Sequence, residues 1–167
     1  MSPKATIDAM PALDRGAIEN FLFREARIAD EHRYLEWESL WTDDAIYWVP
    51  TDGANTDPEK HVSYIYDNRQ RLHTRLSMLA TGDRLAQVPP SGLCRILSNI
   101  EIGDRDDQGD VPVWANFMLL ESRRDHNVWG GRVTYKLRPD GDSFKLVEKK
   151  VVLTNSGEPI HKIAFIL

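Results

Sequence analysis

The chain has 167 residues, of which 41% are hydrophobic and 28% are charged, and its formal net charge is −5. This composition predicts one soluble globular domain with a substantial core, and the negative charge disfavours binding to nucleic acid or to an anionic membrane. No apolar run approaches the roughly 20 residues of a membrane-spanning helix, and no signal-peptide pattern opens the chain, so we expect a cytoplasmic protein.

Two helices are predicted in the first quarter of the chain, after a flexible N-terminal arm over residues 1–13. Residues 14–167 are expected to form a single domain. Asp14 can cap the first helix, with polar residues such as Glu25 filling most of the gaps between its apolar positions. Those positions recur at helical spacing and are Ile18, Phe21, Leu22, Ala26 and Ala29. After a break near residues 30–32, a short second helix presents Tyr34, Trp37, Leu40 and Trp41.

The next segment predicts a turn, two strands and a helix. Residues 42–44 (TDD) have turn chemistry, because short carboxylates bond to nearby backbone N–H groups, and AIYWV then forms a strand that ends at Pro50. Trp37, Trp41 and Trp48 are expected to lock the second helix onto this strand. VSYIY is a second strand, and Asp67 with Gln70 resembles a capping box for a helix that continues to about Ala80.

The second half of the chain changes to the two-residue period of strands. Five strands joined by short turns predict an antiparallel meander, in which Gly130–Gly131 suggest a bulge and Cys94 is expected to be a small buried residue. The strands contain RILSNIEI, VPVWANFMLLES, VWGGRVTYKL, FKLVEKKVVLTN and KIAFIL. The fold class is therefore α+β, with N-terminal helices packed on a curved, mainly antiparallel sheet.

Several of these strands are apolar on both faces. In one, Val113 and Phe117 alternate with Trp114 and Met118. Helices can cover only one face of such a sheet, and a large uncovered apolar patch is unusual on a monomer. We therefore expect an obligate oligomer that uses the outer face of the sheet, with an interface of roughly 2,000 Å² or more. The alternative is that some of these residues lie on a short edge or under the N-terminal arm.

The sequence contains no strong catalytic or metal-binding motif. A single cysteine excludes a disulfide framework and a four-cysteine metal site, the five histidines lack the spacing of metal ligands, and no phosphate-binding glycine motif or nucleophile elbow is present. A curved sheet closed by helices would enclose a cone-shaped cavity, and an acid–base pair inside that cavity stays open as an alternative. Its candidates are Asp30, Tyr34, Tyr47 and His61, followed by Tyr135 and Glu148. Each of them can equally be a helix cap, a core aromatic residue or a solvated side chain.

Several stretches resemble one protein family. FLFREARIADEHRYLEWESLWTDDAIYWVP, YIYDNRQRLHTRLSMLATG, PPSGLCRILSNIEI, GGRVTYKLRPDGDSFKLVEKKVVLTN and the closing IAFIL are similar to the small (beta) subunit of aromatic-ring-hydroxylating dioxygenases. The resemblance covers nearly the whole chain from Ile18 onward. It departs from the family at GLCRIL, where members commonly carry Arg-Thr-Arg-His, which weakens the transfer of polar contacts over residues 92–96.

The resemblance implies the cone-shaped fold of nuclear transport factor two and a role in aromatic hydrocarbon catabolism. It also implies an assembly of three large and three small subunits, with homotrimer contacts among the small ones. The large (alpha) subunit would hold the Rieske [2Fe–2S] cluster, the mononuclear iron and the substrate pocket. This chain would then carry no cofactor, no metal and no catalytic residue. Trp48, Arg95 and Trp129 are predicted interface residues from their positions near strand ends.

Two functions therefore compete. In the first, the chain is the non-catalytic structural small subunit of an oxidoreductase that adds O₂ to an aromatic compound. In the second, it is a free-standing lyase or isomerase with the same cone fold, which would need an inward-facing dyad such as Asp30 with Tyr34 or His61.

Overall fold

A computed structural model describes residues 12–54, 56–81, 89–160 and 163–167. The predicted N-terminal arm therefore lies almost entirely outside the described residues. The described ranges contain three helices, which are α1 (Arg15–Asp30), α2 (Tyr34–Ser39) and α3 (Arg69–Ala80). They also contain six strands, which are β1 (Trp41–Pro50), β2 (Ser63–Asn68), β3 (Gly92–Ile102), β4 (Val111–Ser122), β5 (His126–Asp140) and β6 (Ser143–Leu153).

The start of α1 is as predicted. The Asp14 carboxylate accepts hydrogen bonds from the backbone N–H groups of Gly16 and Ala17, at 2.8 and 3.3 Å. This bond satisfies donors that the first turn of a helix leaves free. The predicted apolar positions of α1 are buried. The prediction for Glu25 was wrong, because this residue is fully buried on the same side of the helix.

Two local predictions near the first strand are corrected by tertiary contacts. Residues 42–44 are part of β1 rather than a turn, because β1 begins at Trp41 and pairs with Leu146 of β6. The cap of α3 is Asn68, whose side chain accepts from the N–H of Arg71 at 3.0 Å. Asp67 instead forms an ion pair with Arg75 at 2.5 Å, which takes it away from the predicted capping box.

The six strands form one sheet in the order β2-β1-β6-β5-β4-β3. All neighbouring pairs are antiparallel except β1 with β6, which is parallel. The sheet is therefore mainly antiparallel, as predicted. The final apolar stretch is not a fifth meander strand, because residues 163–167 form no strand and pack instead in the core.

The bulge predicted at Gly130–Gly131 is absent, since the pairing of β4 with β5 is continuous there. A glycine is needed at position 131 because an added Cβ would lie 2.1 Å from the carbonyl oxygen of Val152. The register shifts in β3 instead, between Ser98 and Glu101. This shift breaks the simple alternation, so that Ile96 is exposed while Ile100 packs against the core.

Three aromatic side chains join α2 to the sheet. Trp37, Trp41 and Tyr47 pack edge to face, with ring centroids 5.0–6.0 Å apart, which is a favourable geometry for aromatic pairs. The prediction that Trp48 belongs to this group was wrong. Trp48 points to the opposite face of β1, where it packs against Tyr66. Alternation of side chains along a strand places neighbours such as Tyr47 and Trp48 on different faces.

Side chains of α1 cover the free edge of β3. Arg15 donates to the carbonyl of Ile100 at 2.9 Å, and Asp30 accepts from the backbone N–H of Arg95 at 2.8 Å. These bonds satisfy backbone groups that an edge strand would otherwise present. Within the described part of the chain, no helix is long and apolar enough to cross a membrane.

Candidate functional site

The two faces of the sheet differ in what covers them. The inner face packs against the helices and residues 163–167, and it contains the apolar core. The outer face is built from the alternate residues of the same strands, and no helix packs on it within the described residues. A functional site can therefore lie in two places, inside the cone or on the outer face.

A buried ion pair occupies the interior of the cone. The Lys149 ammonium lies 2.8 Å from Oε1 of Glu25, and the indole N–H of Trp37 donates to the same oxygen at 2.6 Å. Both charged side chains are at most 2% exposed. Burial lowers the pKa of Lys149, while Glu25 opposes that effect. The pair is thus satisfied by its own neighbours, apart from Oε2 of Glu25, which has no hydrogen bond among the described residues.

Residues 163–167 close the mouth of the cone. Phe165, Ile166 and Leu167 are buried. Arg95 donates to the carbonyl of Ile166 at 2.8 Å, and the backbone N–H of Leu167 donates to the hydroxyl of Tyr47 at 3.0 Å. The space left between this segment and the sheet holds about 10 Å³. That volume suits at most one water molecule and no organic substrate.

The candidate acid–base residues have separate partners. Asp30 pairs with Arg95 at 2.7 Å, Tyr34 contacts Nδ1 of His32 at 3.0 Å, and His61 lies at the surface, 3.8 Å from Asp52. Tyr47 is fully buried against Leu167, and burial raises its pKa to about 12. Among the described residues, no hydrogen bond joins Asp30 to Tyr34 or to His61, so the structure brings no predicted dyad together.

The two further acid–base candidates, Tyr135 and Glu148, are also not placed for proton transfer. Tyr135 is fully buried, and that burial raises its pKa well above its ordinary value. Glu148 is half-buried on the outer face, where it is near Lys136 and Lys150. A base for proton transfer needs a substrate proton within hydrogen-bond reach, and the filled interior offers no space for one beside Tyr135.

Two structural residues, the half-buried His32 and the buried Lys149, were missed in the sequence. His32 adopts a left-handed backbone conformation with φ of 56°, and its Nε2 lies 2.8 Å from the carbonyl of Ser91, so it ties the α1–α2 junction to the start of β3. Lys149 is 2% exposed although it stands in the charged stretch Glu148-Lys149-Lys150, a composition typical of a solvated strand face. Its position two residues before Val151, which is in the core, was a signal of burial, because side chains alternate along a strand.

The outer face carries an apolar patch made of Cys94, Ile96, Met118, Leu120 and Val128. Cross-strand pairing makes it continuous, since Ile96 lies opposite Met118, and Leu120 lies opposite both Cys94 and Val128. Val128 is 67% exposed, Ile96 65% and Met118 58%. The prediction that Cys94 is buried was wrong, because its position in β3 points outward. A contiguous exposed apolar patch of this kind marks an interaction surface.

The three predicted interface residues are held by contacts within the chain. Trp48 donates to the hydroxyl of Ser63 at 2.9 Å, and Trp129 donates to Glu121 at 3.0 Å. Arg95 is occupied by Asp30 and the carbonyl of Ile166. Their contact with a partner stays a prediction, and the exposed residues of the apolar patch offer more area for one.

A groove of about 790 Å³ adjoins the apolar patch on the same face. Its wall includes Ala54, whose carbonyl accepts from Lys150 at 2.5 Å, while the ammonium of Lys150 lies 3.9 Å from the ring centroid of Trp48. Arg132 and Trp114 contribute exposed side chains to its lining. The groove is thus polar and mixed in charge, unlike the patch.

The acidic and histidine side chains in the part of the chain that the structure describes are spread over separate contacts. There, no group of three or more histidine, cysteine or acidic residues is arranged to hold a metal ion. The acidic residues Asp106 and Asp110 instead contact Lys136, and Asp110 also pairs with Arg138 at 2.9 Å.

Comparison with known proteins gives consistent similarities. Residues 24–157 match the profile of a protein family described as the ring hydroxylating beta subunit. The 2-halobenzoate 1,2-dioxygenase small subunit of Burkholderia cepacia is 32% identical to this chain over 151 residues. The alignment covers 86% of this chain and 88% of that protein.

Solved structures extend the comparison to the fold. The beta subunit of a benzoate 1,2-dioxygenase from Burkholderia mallei has a TM-score of 0.76 and 30% identity, covering 94% of this chain and 100% of that one. A protein provisionally assigned as a scytalone dehydratase from Novosphingobium aromaticivorans has a TM-score of 0.61 at 15% identity, covering 88% and 89% of the two chains. The second likeness shows the fold alone, and the predicted cone-shaped α+β fold is confirmed.

Proposed function

This chain belongs to the family of ring hydroxylating beta subunits, and from that premise we propose that it is the non-catalytic small subunit of a dioxygenase. The complete enzyme adds both atoms of O₂ to an aromatic compound. The chain contributes to that activity by binding a large catalytic subunit. The names of the relatives specify a halobenzoate and a benzoate, so benzoate-type aromatic acids are the substrates to assay first.

The assembly that we propose contains three large and three small subunits in the cytoplasm of a cell that degrades aromatic compounds. The Rieske [2Fe–2S] cluster and the mononuclear iron belong to the large subunit in this proposal, and this chain supplies no ligand to either. The small subunits contact one another as well as the large subunit. Trp48, Arg95 and Trp129 remain predicted members of these interfaces.

The observation that carries the proposal is the apolar patch on the outer face. The inner face of the same sheet is already filled by helices and by residues 163–167, so no element of the described chain covers the patch. Burial of apolar surface stabilises an assembly by about 25 cal/mol per Å². We assign the patch to the contact with the large subunit, because apolar, well-packed surfaces are typical of permanent interfaces.

The alternative of a free-standing lyase or isomerase has less support. It is favoured by the likeness of fold to the scytalone dehydratase-type structure. It requires an open interior with an acid–base pair, whereas the interior here is occupied by Phe165, Ile166 and Leu167 and by the Glu25–Lys149 ion pair.

Co-expression with the large subunit tests the proposal. The chain should co-purify with that subunit, and the complex should consume O₂ in the presence of a benzoate-type acid and electron donors. Replacement of two patch residues, Met118→Lys with Val128→Lys, should abolish co-purification while the circular dichroism spectrum of the small subunit stays unchanged. Val62→Lys is the matched control, because Val62 is 80% exposed and lies outside the patch.

Two results would contradict the proposal. One is a chain that elutes without the large subunit in all conditions. The other is a purified small subunit that binds iron stoichiometrically by elemental analysis and hydroxylates the aromatic acid alone.

A further inference from the structure

A cleft between α1 and β3 exposes apolar side chains. It holds about 320 Å³, and we call it the α1–β3 cleft. Its apolar lining consists of Phe23, Ala26, Leu93, Cys94 and Leu97. Phe23 is 48% exposed and Cys94 is also exposed, so no element of the described chain covers this surface. Burial of such a surface against a further apolar segment is favourable.

The charged residues of the cleft differ in how they are satisfied. Asp30 and Arg95 pair at 2.7 Å and neutralise each other. Glu31, on the rim, bonds to Arg33 at 2.7 Å through Oε2, whereas no hydrogen bond to its Oε1 exists among the described residues. The exposed guanidinium of Arg27, also on the rim, has no hydrogen bond or ion pair with any described residue. The rim thus presents an unpaired cation and, one helical turn later, a carboxylate with an oxygen that accepts no bond.

The sequence before α1 has a pattern that suits this cleft. Polar and apolar residues alternate over residues 4–9, which read KATIDA. The polar positions are Lys4, Thr6 and Asp8, and the apolar positions are Ala5, Ile7 and Ala9. A two-residue period places the apolar side chains on one side of an extended chain. The two charges, of opposite sign, lie together on the other side.

The chain joins α1 at a defined point. Leu13 packs against the core, and the carboxylate of Asp14 caps the helix. Pro11 directly precedes this junction, and proline is typical of turns. A turn here sends the preceding residues back along α1. Eight extended residues span about 26 Å, and the 16 residues of α1 span about 24 Å, so the segment can run the whole length of the helix.

The reach of the chain sets the register of this path. At about 3.3 Å per extended residue and about 1.5 Å per helical residue, Lys4 is about 26 Å from Ala12 and is level with Glu31. Asp8 is about 13 Å from Ala12. Arg27 lies about 20 Å along α1, but helical side chains lean toward the N-terminus of their helix, and its long side chain covers the difference. Opposite charges therefore meet at both positions.

We propose that residues 4–9 lie in the α1–β3 cleft of their own copy. Ile7 packs against Phe23, and Asp8 faces Arg27. This contact goes beyond the proposed function and does not depend on it. Because the cleft borders the apolar patch, the docked segment adds to the surface that this edge of the subunit presents to a partner.

An engineered disulfide bond tests the path. Cys94 is the single cysteine of the chain. The register brings Ala5, about 23 Å from Ala12, beside it, because Asp30, at the same level of α1, bonds to the backbone of Arg95. In the full-length Ala5→Cys variant, oxidised glutathione should therefore form a disulfide bond to Cys94 within one chain. Peptide mass spectrometry of the non-reduced monomer measures the rate at which this bond forms.

Thr6→Cys is the matched control for this measurement. Positions 5 and 6 are adjacent, so an undocked segment brings either thiol to Cys94 at a similar rate. In the docked segment Thr6 points away from the cleft, and two cysteines whose side chains point apart cannot be bridged. Ala5→Cys should thus form the disulfide bond at least roughly tenfold faster than Thr6→Cys.

Further substitutions in the Ala5→Cys variant test the individual contacts. Ile7→Asp should slow the disulfide bond roughly tenfold, because it removes the apolar contact in the cleft. Asp8→Lys should slow it about two- to fivefold at low salt, and addition of Arg27→Asp should restore the rate. Asp142→Lys changes an exposed residue of the β5–β6 turn and should leave the rate unchanged.

Two results would overturn the docking of residues 4–9. One is an equal rate for Ala5→Cys and Thr6→Cys, because the segment would then have no fixed face toward the cleft. The other is a disulfide bond that joins two chains, visible as a dimer on a non-reducing gel, since the cleft would then hold the segment of a second copy. Failure of the chain to bind the large subunit would contradict only the proposed function, because these rates are measured on the small subunit alone.

Discussion

Glu25 and Lys149 form a charged pair in an otherwise apolar interior. Their shared contact with Trp37 fixes the register between α1, α2 and β6, since each of the three residues comes from a different element. A buried pair of this type contributes little net stability, because desolvation offsets the attraction, but removal of one partner leaves an uncompensated charge.

Substitution of Lys149 measures how far the stability of the fold depends on an intact Glu25–Lys149 pair. Lys149→Met should lower the free energy of unfolding by about 3–5 kcal/mol, because Glu25 is left as a buried carboxylate with one donor. Addition of Glu25→Gln should recover much of this loss, since the amide is neutral and still accepts from Trp37. Urea unfolding at pH 7 gives the values, and Lys150→Met on the other face should change stability by less than about 1 kcal/mol. Equal effects of Lys149→Met and Lys150→Met would contradict the buried pair.

Tyr47 couples the closure of the cone to pH. Burial raises its pKa to about 12, from an ordinary value of 10.0. Between pH 10 and 12 the unfolded chain has released this proton while the folded chain retains it. The stabilisation is therefore complete below pH 10 and is lost as the pH rises through about 12.

Tyr47→Phe tests that coupling. In the wild type, the free energy of unfolding should fall by about 1.4 kcal/mol per pH unit for this tyrosine between pH 10 and 12. The slope should be shallower in Tyr47→Phe but not zero, because the pKa of buried Tyr135 is also raised. Guanidinium unfolding at each pH measures the slope, and Tyr64→Phe, at a surface hydroxyl bonded to Glu158, should leave it unchanged. A Tyr47→Phe slope equal to that of the wild type would refute the prediction.

At the scale of elements, β5 approaches β6 closely at a single point. A Cβ at position 131 would meet the Val152 carbonyl at 2.1 Å, whereas a Cβ at position 130 would lie 3.6 Å from the nearest atom. The second distance is an ordinary van der Waals contact. Adjacent glycines thus have different roles, although they look identical in the sequence.

The two alanine substitutions should separate those roles. Gly131→Ala should destabilise the protein by about 1–3 kcal/mol or more, because the strands must move apart to admit the methyl group. Gly130→Ala should be neutral or slightly stabilising, because alanine restricts the unfolded chain more than glycine. Thermal unfolding followed by circular dichroism compares them, and similar losses at both positions would contradict the close approach.

The predictions for the elements succeeded where local signals agree with the tertiary structure. The Asp14 cap and the apolar spacing of α1 were sufficient for that helix, and the two-residue period was sufficient for β4 and β5. Residues 42–44 were misassigned because strand pairing with β6 overrides turn propensity. Ile96 and Cys94 faced the unexpected side because a register shift in β3 cannot be read from alternation alone.

At the scale of the whole molecule, apolar residues on both faces of the strands predicted an oligomer that uses the outer face of the sheet, but they did not predict which residues of that face form one patch. The sequence shows Met118, Leu120 and Val128 as apolar outward positions, and the cross-strand register is needed to join them into one patch. The groove was not predictable, because Arg132, Lys150 and Asn99 come from three strands. The filled interior also depended on the tertiary structure, since residues 163–167 have the composition of a strand.

Because side chains of α1 cover the free edge of β3, another copy of this protein cannot readily pair a strand with that edge. Arg15 and Asp30 occupy the hydrogen-bonding groups through which a foreign strand would dock, and at the other margin β2 has only six residues. Growth by strand addition, which leads to open-ended fibres, is thereby obstructed. If copies of this chain associate as proposed, they do so through side chains on the broad faces of the sheet, and such contacts can close into an assembly of fixed size.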